Sequence, residues 1–88
     1  MTVTIQKTAT AATFGGWLRA LRAVRRETQD EVSASLAISS TLLSAWEIER
    51  VVPVKVEQIL RLSAWSGVPR SEIFELIARD IDARALAI

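Results

Sequence analysis

Three groups of residues in this chain have the types and spacing to do chemistry with a partner. The first is Ser40, Thr41, Ser44 and Ala45, a small, neutral and mostly hydroxylated set. At helical spacing these four share one face, and a helix with an apolar back and a small polar front suits insertion into a groove. The second group is Arg19, Arg22, Arg25 and Arg26, four arginines in eight positions with no acid among them. Arg19, Arg22 and Arg26 line one helical stripe, which serves either as a solvated face or as a phosphate-contacting one. The third is Gln29, at a helix N-terminus. There a side-chain amide, free backbone N–H groups and the helix dipole can converge on an anion. The plainer reading of Gln29 is an exposed first-turn residue.

Much chemistry is excluded by composition. The chain has no Cys and no His, so disulfides, thiolate or imidazole metal sites and Ser-His or Cys-His nucleophiles cannot be built. Ten acids are present. None forms a paired constellation, and Asp80 and Asp82 point to different helix faces. The expectation is therefore no enzyme, no metal and no cofactor. The net charge is only +1, so bulk electrostatics do not announce a polyanion. No apolar run reaches the about 20 residues of a membrane span, and the N-terminus lacks the layout of a signal peptide. A cytoplasmic location fits the absence of Cys.

These groups need elements to hold them. With 88 residues there is room for one domain. Residues 1–12 are Thr- and Ala-rich, with a weak strand alternation at Val3 and Ile5. They read as a frayed arm, or as an arm that pairs with a partner subunit or tracks DNA. Phe14, Trp17, Leu18 and Leu21 give a first helix ending near Arg26, with Thr13 as its cap and Gly15 and Gly16 weakening its first turn. From Thr28 to Arg50 two short helices joined by a tight turn are expected. Val32 and Leu36 share one face, Leu43 and Trp46 another, and Ile38 plugs the core at the turn. Ser39 is a good N-cap for the second, and Asp30 and Glu31 suit the first turn of the leading helix. Pro53 is placed to open a fourth helix whose core face is Val56, Ile59, Leu60 and Ser63. Leu62 and Trp65 form a second edge of that helix, and Gly67 a C-cap. After Pro69 a fifth helix has apolar positions Ile73, Leu76, Ile77 and Ile81, with Glu75–Arg79 and Asp80–Arg84 as i, i+4 ion pairs. The expected fold is all-α, a five-helix bundle: an arm over 1–12, a domain over 13–79 and a helical extension over 80–88. Ile81, Leu86 and Ile88 leave more apolar surface than one small core can cover, which points to a dimer contact.

The spacing from Gln29 to Trp46 resembles the Cro/repressor-type (xenobiotic-response-element type) helix-turn-helix family of bacterial and phage DNA-binding proteins. Gln29 opens the first helix of the motif, and Val32, Leu36, Ile38, Leu43 and Trp46 stand at its buried positions. Trp46-Glu47 is similar to the family's aromatic-or-aliphatic–Glu ending of the recognition helix. Pro53 matches a proline after a short loop, and Arg22, seven before Gln29, an arginine of helix 1. The resemblance covers about residues 14–77. It implies a lambda-repressor-like fold and a transcriptional regulator, a repressor binding an inverted-repeat operator as a homodimer. Ser39–Glu47 would be the recognition helix, with Ser40, Thr41 and Ser44 facing base edges and Ala45 close by. Gln29 would bind a phosphate and brace that helix, and Arg22 would pair with Glu47. Arg19, Arg22, Ser39, Arg50 and Lys55 would reach phosphates as well. The alternative is an antitoxin or other protein-interaction module on the same fold, with a toxin or other protein as partner.

The chain departs from that pattern in four places. Ala37 stands at the turn where the family usually has Gly, a position that wants a left-handed backbone. Ser33 replaces the usual Ala where the two helices approach. Glu49 replaces the Gly two residues after Glu47. Either Glu49 adopts the strained cap or the recognition helix runs a turn longer. Val51-Val52 makes the loop apolar, which hints at a protein contact there.

Overall fold

The computed structural model describes residues 13–86, with side-chain surroundings as far as residue 83. The 1–12 arm with its Val3/Ile5 alternation, and the side chains of Leu86 and Ile88, lie outside the described residues. Five helices follow one another: α1 Phe14–Arg25, α2 Gln29–Leu36, α3 Ser40–Glu47, α4 Val56–Ser66 and α5 Arg70–Leu86. There is no strand among the described residues, so the all-α five-helix expectation holds. No helix of these residues is long and apolar enough to cross a membrane.

The first three helices begin where the sequence supplies a hydroxyl cap: Thr13, Thr28 and Ser39. The Thr13 hydroxyl accepts from the Gly16 N–H at 3.0 Å and opens α1. Thr28 and Glu31 form a reciprocal capping box on α2: the Thr28 N–H donates to Glu31 Oε1 at 2.8 Å and the Glu31 N–H to Thr28 Oγ1 at 3.1 Å. Pro53 does not open α4. It is buried in the preceding loop, the chain stays extended to Lys55 (φ −106°, ψ 137°), and α4 starts at Val56. The Lys55 N–H donates to Gln58 Oε1 at 3.3 Å, so the capping interaction sits two residues beyond the proline.

Phe14, Leu18, Val32, Leu43, Leu62 and Ile73 are fully sealed from solvent at the centre. Trp46 meets Phe14 edge to face, ring centroids 5.8 Å apart, a favoured aromatic geometry. Two sequence expectations are corrected in this core. The buried edge of α4 is Leu62 with Ser66; of the expected face, Ile59 packs half-buried on the core and Ser63 is half-buried, while Val56 and Leu60 are exposed. The two edges of α4 compete, and the Leu62 edge prevails because it also docks Trp65. The Trp65 indole N–H donates to Glu27 Oε1 at 3.0 Å, its ring lies 5.0 Å from the Arg25 guanidinium, and Arg25 donates to the Trp65 and Ser66 carbonyls that end α4. In α5, Ile73, Leu76 and Ile77 are buried, but the next position on their stripe (i+7) is Asp80, not Ile81. Asp80 is accordingly buried, its expected partner Arg84 has a side chain outside the described ones, and Ile81 faces outward beside the exposed Phe74 side of the helix.

Candidate nucleic-acid interface

The front of α3 is positioned from behind and from both ends. At its N-terminal end the chain leaves α2 through Ala37, whose φ of 57° and ψ of 43° are left-handed. Its N–H and that of Ile38 donate to the carbonyls of Ala34 and Ser33 at 3.2 and 3.0 Å, which satisfies the end of α2. Ser33 is buried, and its hydroxyl donates back to the Asp30 carbonyl at 3.0 Å, so a polar atom sits in the α2 core face without a penalty. Ile38 packs half-buried on the core, and the Ser39 hydroxyl accepts from the Leu42 N–H at 3.0 Å to start α3. The recognition-helix span expected as Ser39–Glu47 is thus an N-cap followed by eight helical residues.

At its C-terminal end α3 is clamped. The Glu47 carboxylate is buried and takes three side-chain donors: Arg22 Nε at 2.7 Å, Arg22 Nη2 at 2.9 Å and Gln29 Nε2 at 3.0 Å. Arg19 adds Nη1 to the Glu47 carbonyl at 2.9 Å. Burial alone pushes the Glu47 carboxyl up. The hydrogen bonds from Arg22 and Gln29, with the charges of Arg22 and Arg19, outweigh it and hold the carboxyl below its ordinary value. The hydrogen bond to Glu47 raises the Arg22 guanidinium against the lowering effect of its own burial. The pair is therefore fully ionised at neutral pH.

Gly15 makes the clamp possible. A Cβ on Gly15 would sit 2.3 Å from the Trp46 carbonyl oxygen, so α1 and α3 meet closer than any side chain would allow. This glycine is required for packing, beyond its weak helix propensity. Past Glu47 the helix stops rather than running on. Glu49 takes φ 65°, its N–H donates to the Trp46 carbonyl at 3.1 Å and the Arg50 N–H to the Ala45 carbonyl at 2.9 Å. Glu49 gains one compensation: the Thr13 hydroxyl donates to its Oε2 at 3.0 Å.

With its back and ends fixed, α3 presents Ser40, Thr41, Ser44 and Ala45 together on one open hollow of about 430 Å3, bounded by Gln29 and Asp30 on one side and by Ile48 and Arg50 on the other. Among the described residues, the hydroxyls of Ser40, Thr41 and Ser44 enter no intramolecular bond. Ile48 and Asp30 were missed from the sequence. The signal for Ile48 was present, because Thr41, Ser44 and Ile48 continue the i, i+3, i+7 spacing past the expected end of the helix.

The residues expected at phosphates separate into two kinds. Arg22, Gln29 and Ser39 are committed to protein partners within 3.0 Å, and Arg19 spends one donor on Glu47. Arg19 is exposed and Lys55 stands exposed at the start of α4, while Arg50 lies at the rim of the hollow. The arginine stripe of α1 is therefore largely internal stapling: Arg19 and Arg22 to α3, Arg25 to the end of α4. Arg26, with a left-handed φ of 57° at the end of α1, is the exposed remainder. The described residues contain no group of three or more side chains suited to a metal ion. Comparison of the chain with protein-family models, with curated proteins and with solved structures gives no match.

Proposed function

We propose that this chain is a double-stranded-DNA-binding regulator of the Cro/repressor type, a repressor that binds an inverted repeat as a homodimer with α3 in the major groove. The observation that carries this reading is the front of α3, where three uncommitted hydroxyls and a methyl group line one open hollow. An α-helix fits the major groove, and its N-terminal residues meet base edges there. The neutralisation of Glu47 by Arg22 supports the reading too, because an unpaired carboxylate at this end of α3 would repel a phosphate backbone. Such a regulator would work in the cytoplasm of a bacterial or phage-infected cell, without a cofactor and without catalysing a reaction.

The test is selection of bound duplexes from a random pool, followed by titration of the winner over a range of salt. An inverted repeat with half-sites about 34 Å apart, and affinity that falls steeply with salt, is expected. A featureless pool and no salt-dependent binding to any duplex would overturn the proposal. A protein-interaction module, such as an antitoxin, is then the reading to pursue. It is favoured by the exposed apolar side chains of Val54, Val56, Leu60 and Phe74, with Val56 and Phe74 at 73% and 60% exposure.

A further inference from the structure

We infer that the specificity of α3 is for the 5-methyl group of thymine, read by Thr41, Ala45 and Ile48. The inference rests on the DNA-binding reading above and names the chemistry that the same surface selects. Thr41, Ala45 and Ile48 stand at i, i+4 and i+7, a single stripe that lines the hollow and ends at its Ile48 edge. Each ends in a methyl group. Ile48 is 57% exposed, a branched aliphatic side chain left in water at the edge of an otherwise hydroxylated surface.

The residue types that read purines in pairs of hydrogen bonds are absent from α3, and the one acid of the hollow, Asp30, stands on α2 at its wall. Guanine is selected by a forked Arg or Lys and adenine by a bidentate Asn or Gln. None of these residue types occurs on α3. The neighbouring candidates are engaged elsewhere: Arg22 and Gln29 both donate to Glu47, and Arg50, at the rim past the last turn, already interacts within the chain. The hydroxyls of Ser40 and Ser44 donate or accept, so they contact any base without discriminating. What remains to α3 itself is apolar contact, and the thymine methyl is the apolar group that an unmodified base pair presents in the major groove.

The experiment starts from the duplex recovered by selection and replaces each thymine of a half-site, one at a time, by deoxyuridine, which removes only the 5-methyl group. At one to three positions the substitution should weaken binding about fourfold, the value of one buried methyl-sized group. Thr41→Ser, which deletes a methyl and keeps the hydroxyl, and Ile48→Ala should each bring the thymine-to-uracil ratio at one position close to one. Thermal melts of both variants establish that they fold. Replacing cytosine by 5-methylcytosine at a thymine-preferring position should restore part of the affinity. Equal binding of thymine and uracil duplexes by the native protein would overturn the inference while leaving DNA binding intact. A recovered site dominated by guanine contacts that vanish in Arg50→Ala would overturn it as well. Failure to bind any duplex would overturn the DNA-binding reading itself, and this inference with it.

Discussion

At its N-terminal end α3 is held by backbone geometry: a left-handed alanine, a half-buried isoleucine and one serine cap. At its C-terminal end it is held by side chains from two other helices, with Arg22 and Arg19 from α1 and Gln29 from α2 converging on one residue, over a glycine that lets the helices touch. The first end is local and mildly strained. The second is long-range, buried and charged. The contrast shows that the fixing of α3 is delegated to its ends and back, which leaves its front without structural duties. It also predicts that damage at the two ends will differ in size and in its dependence on pH.

The largest effect belongs to the clamp. Arg22→Ala leaves the Glu47 carboxylate buried with only the Gln29 amide on its side chain, and should destabilise the fold by about 3–5 kcal/mol, a large share of what a small domain has. Urea denaturation reads this directly, and a loss below about 1 kcal/mol would reduce the clamp to a surface pair. It follows that Arg22→Ala is a poor probe of DNA binding, since lost affinity and lost folding would coincide. Gly15→Ala should come next, at about 1–3 kcal/mol, because the obstructing atom is a backbone oxygen that cannot swing aside.

The clamp should also give the protein an acid limit. Glu47 is held below its ordinary value in the folded state, so its contribution is complete above the usual glutamate range, about pH 4, and is lost as the pH falls through the lowered native value. Melting temperature followed downward from pH 7 should drop in acid, and Glu47→Gln should flatten that drop while lowering the plateau. A variant with an unchanged acid slope would assign the sensitivity to other carboxyls.

The two left-handed positions that flank α3, Ala37 before it and Glu49 after it, give the smallest effects, one of them favourable. Ala37→Gly relieves a left-handed Cβ and should stabilise by about 0.5–1 kcal/mol after the extra flexibility of unfolded glycine is counted. Glu49→Gly relieves the same strain but forfeits the Thr13 hydrogen bond, so the net change should stay within about 0.5 kcal/mol. If Glu49→Gly gained as much as Ala37→Gly, the Thr13 contact would be of no consequence.

Much of this was legible in the sequence because it follows from period and capping. The α1 stripe of Phe14, Trp17, Leu18 and Leu21, the Thr13 and Ser39 caps, Gly67 at the end of α4 and the two suspect positions 37 and 49 all follow local rules. What escaped depends on distance through space. The arginines of α1 have the composition of a phosphate stripe, but carbonyls and a carboxylate from α3 and α4 fold back onto them, and no sequence window contains both partners. The same applies to α4, where Glu27 and Arg25, about forty residues upstream, decide which apolar edge turns inward. Gly15 looked like a weakness because helix propensity is local, whereas its contact with the Trp46 carbonyl is not. In α5 the expected stripe of Ile73, Leu76, Ile77 and Ile81 holds for its first three members, but its last buried position falls on Asp80 and leaves Ile81 outside.

A front face that bears no part of the folding load is free to drift. Codons 40 and 41, whose side chains are exposed and make no bond within the chain, can change at little cost to stability, and the half-buried positions 44 and 45 can exchange among small residues. For an engineer the same property means that a library randomised at these positions should remain largely folded, and that new addresses can be selected on an unaltered frame.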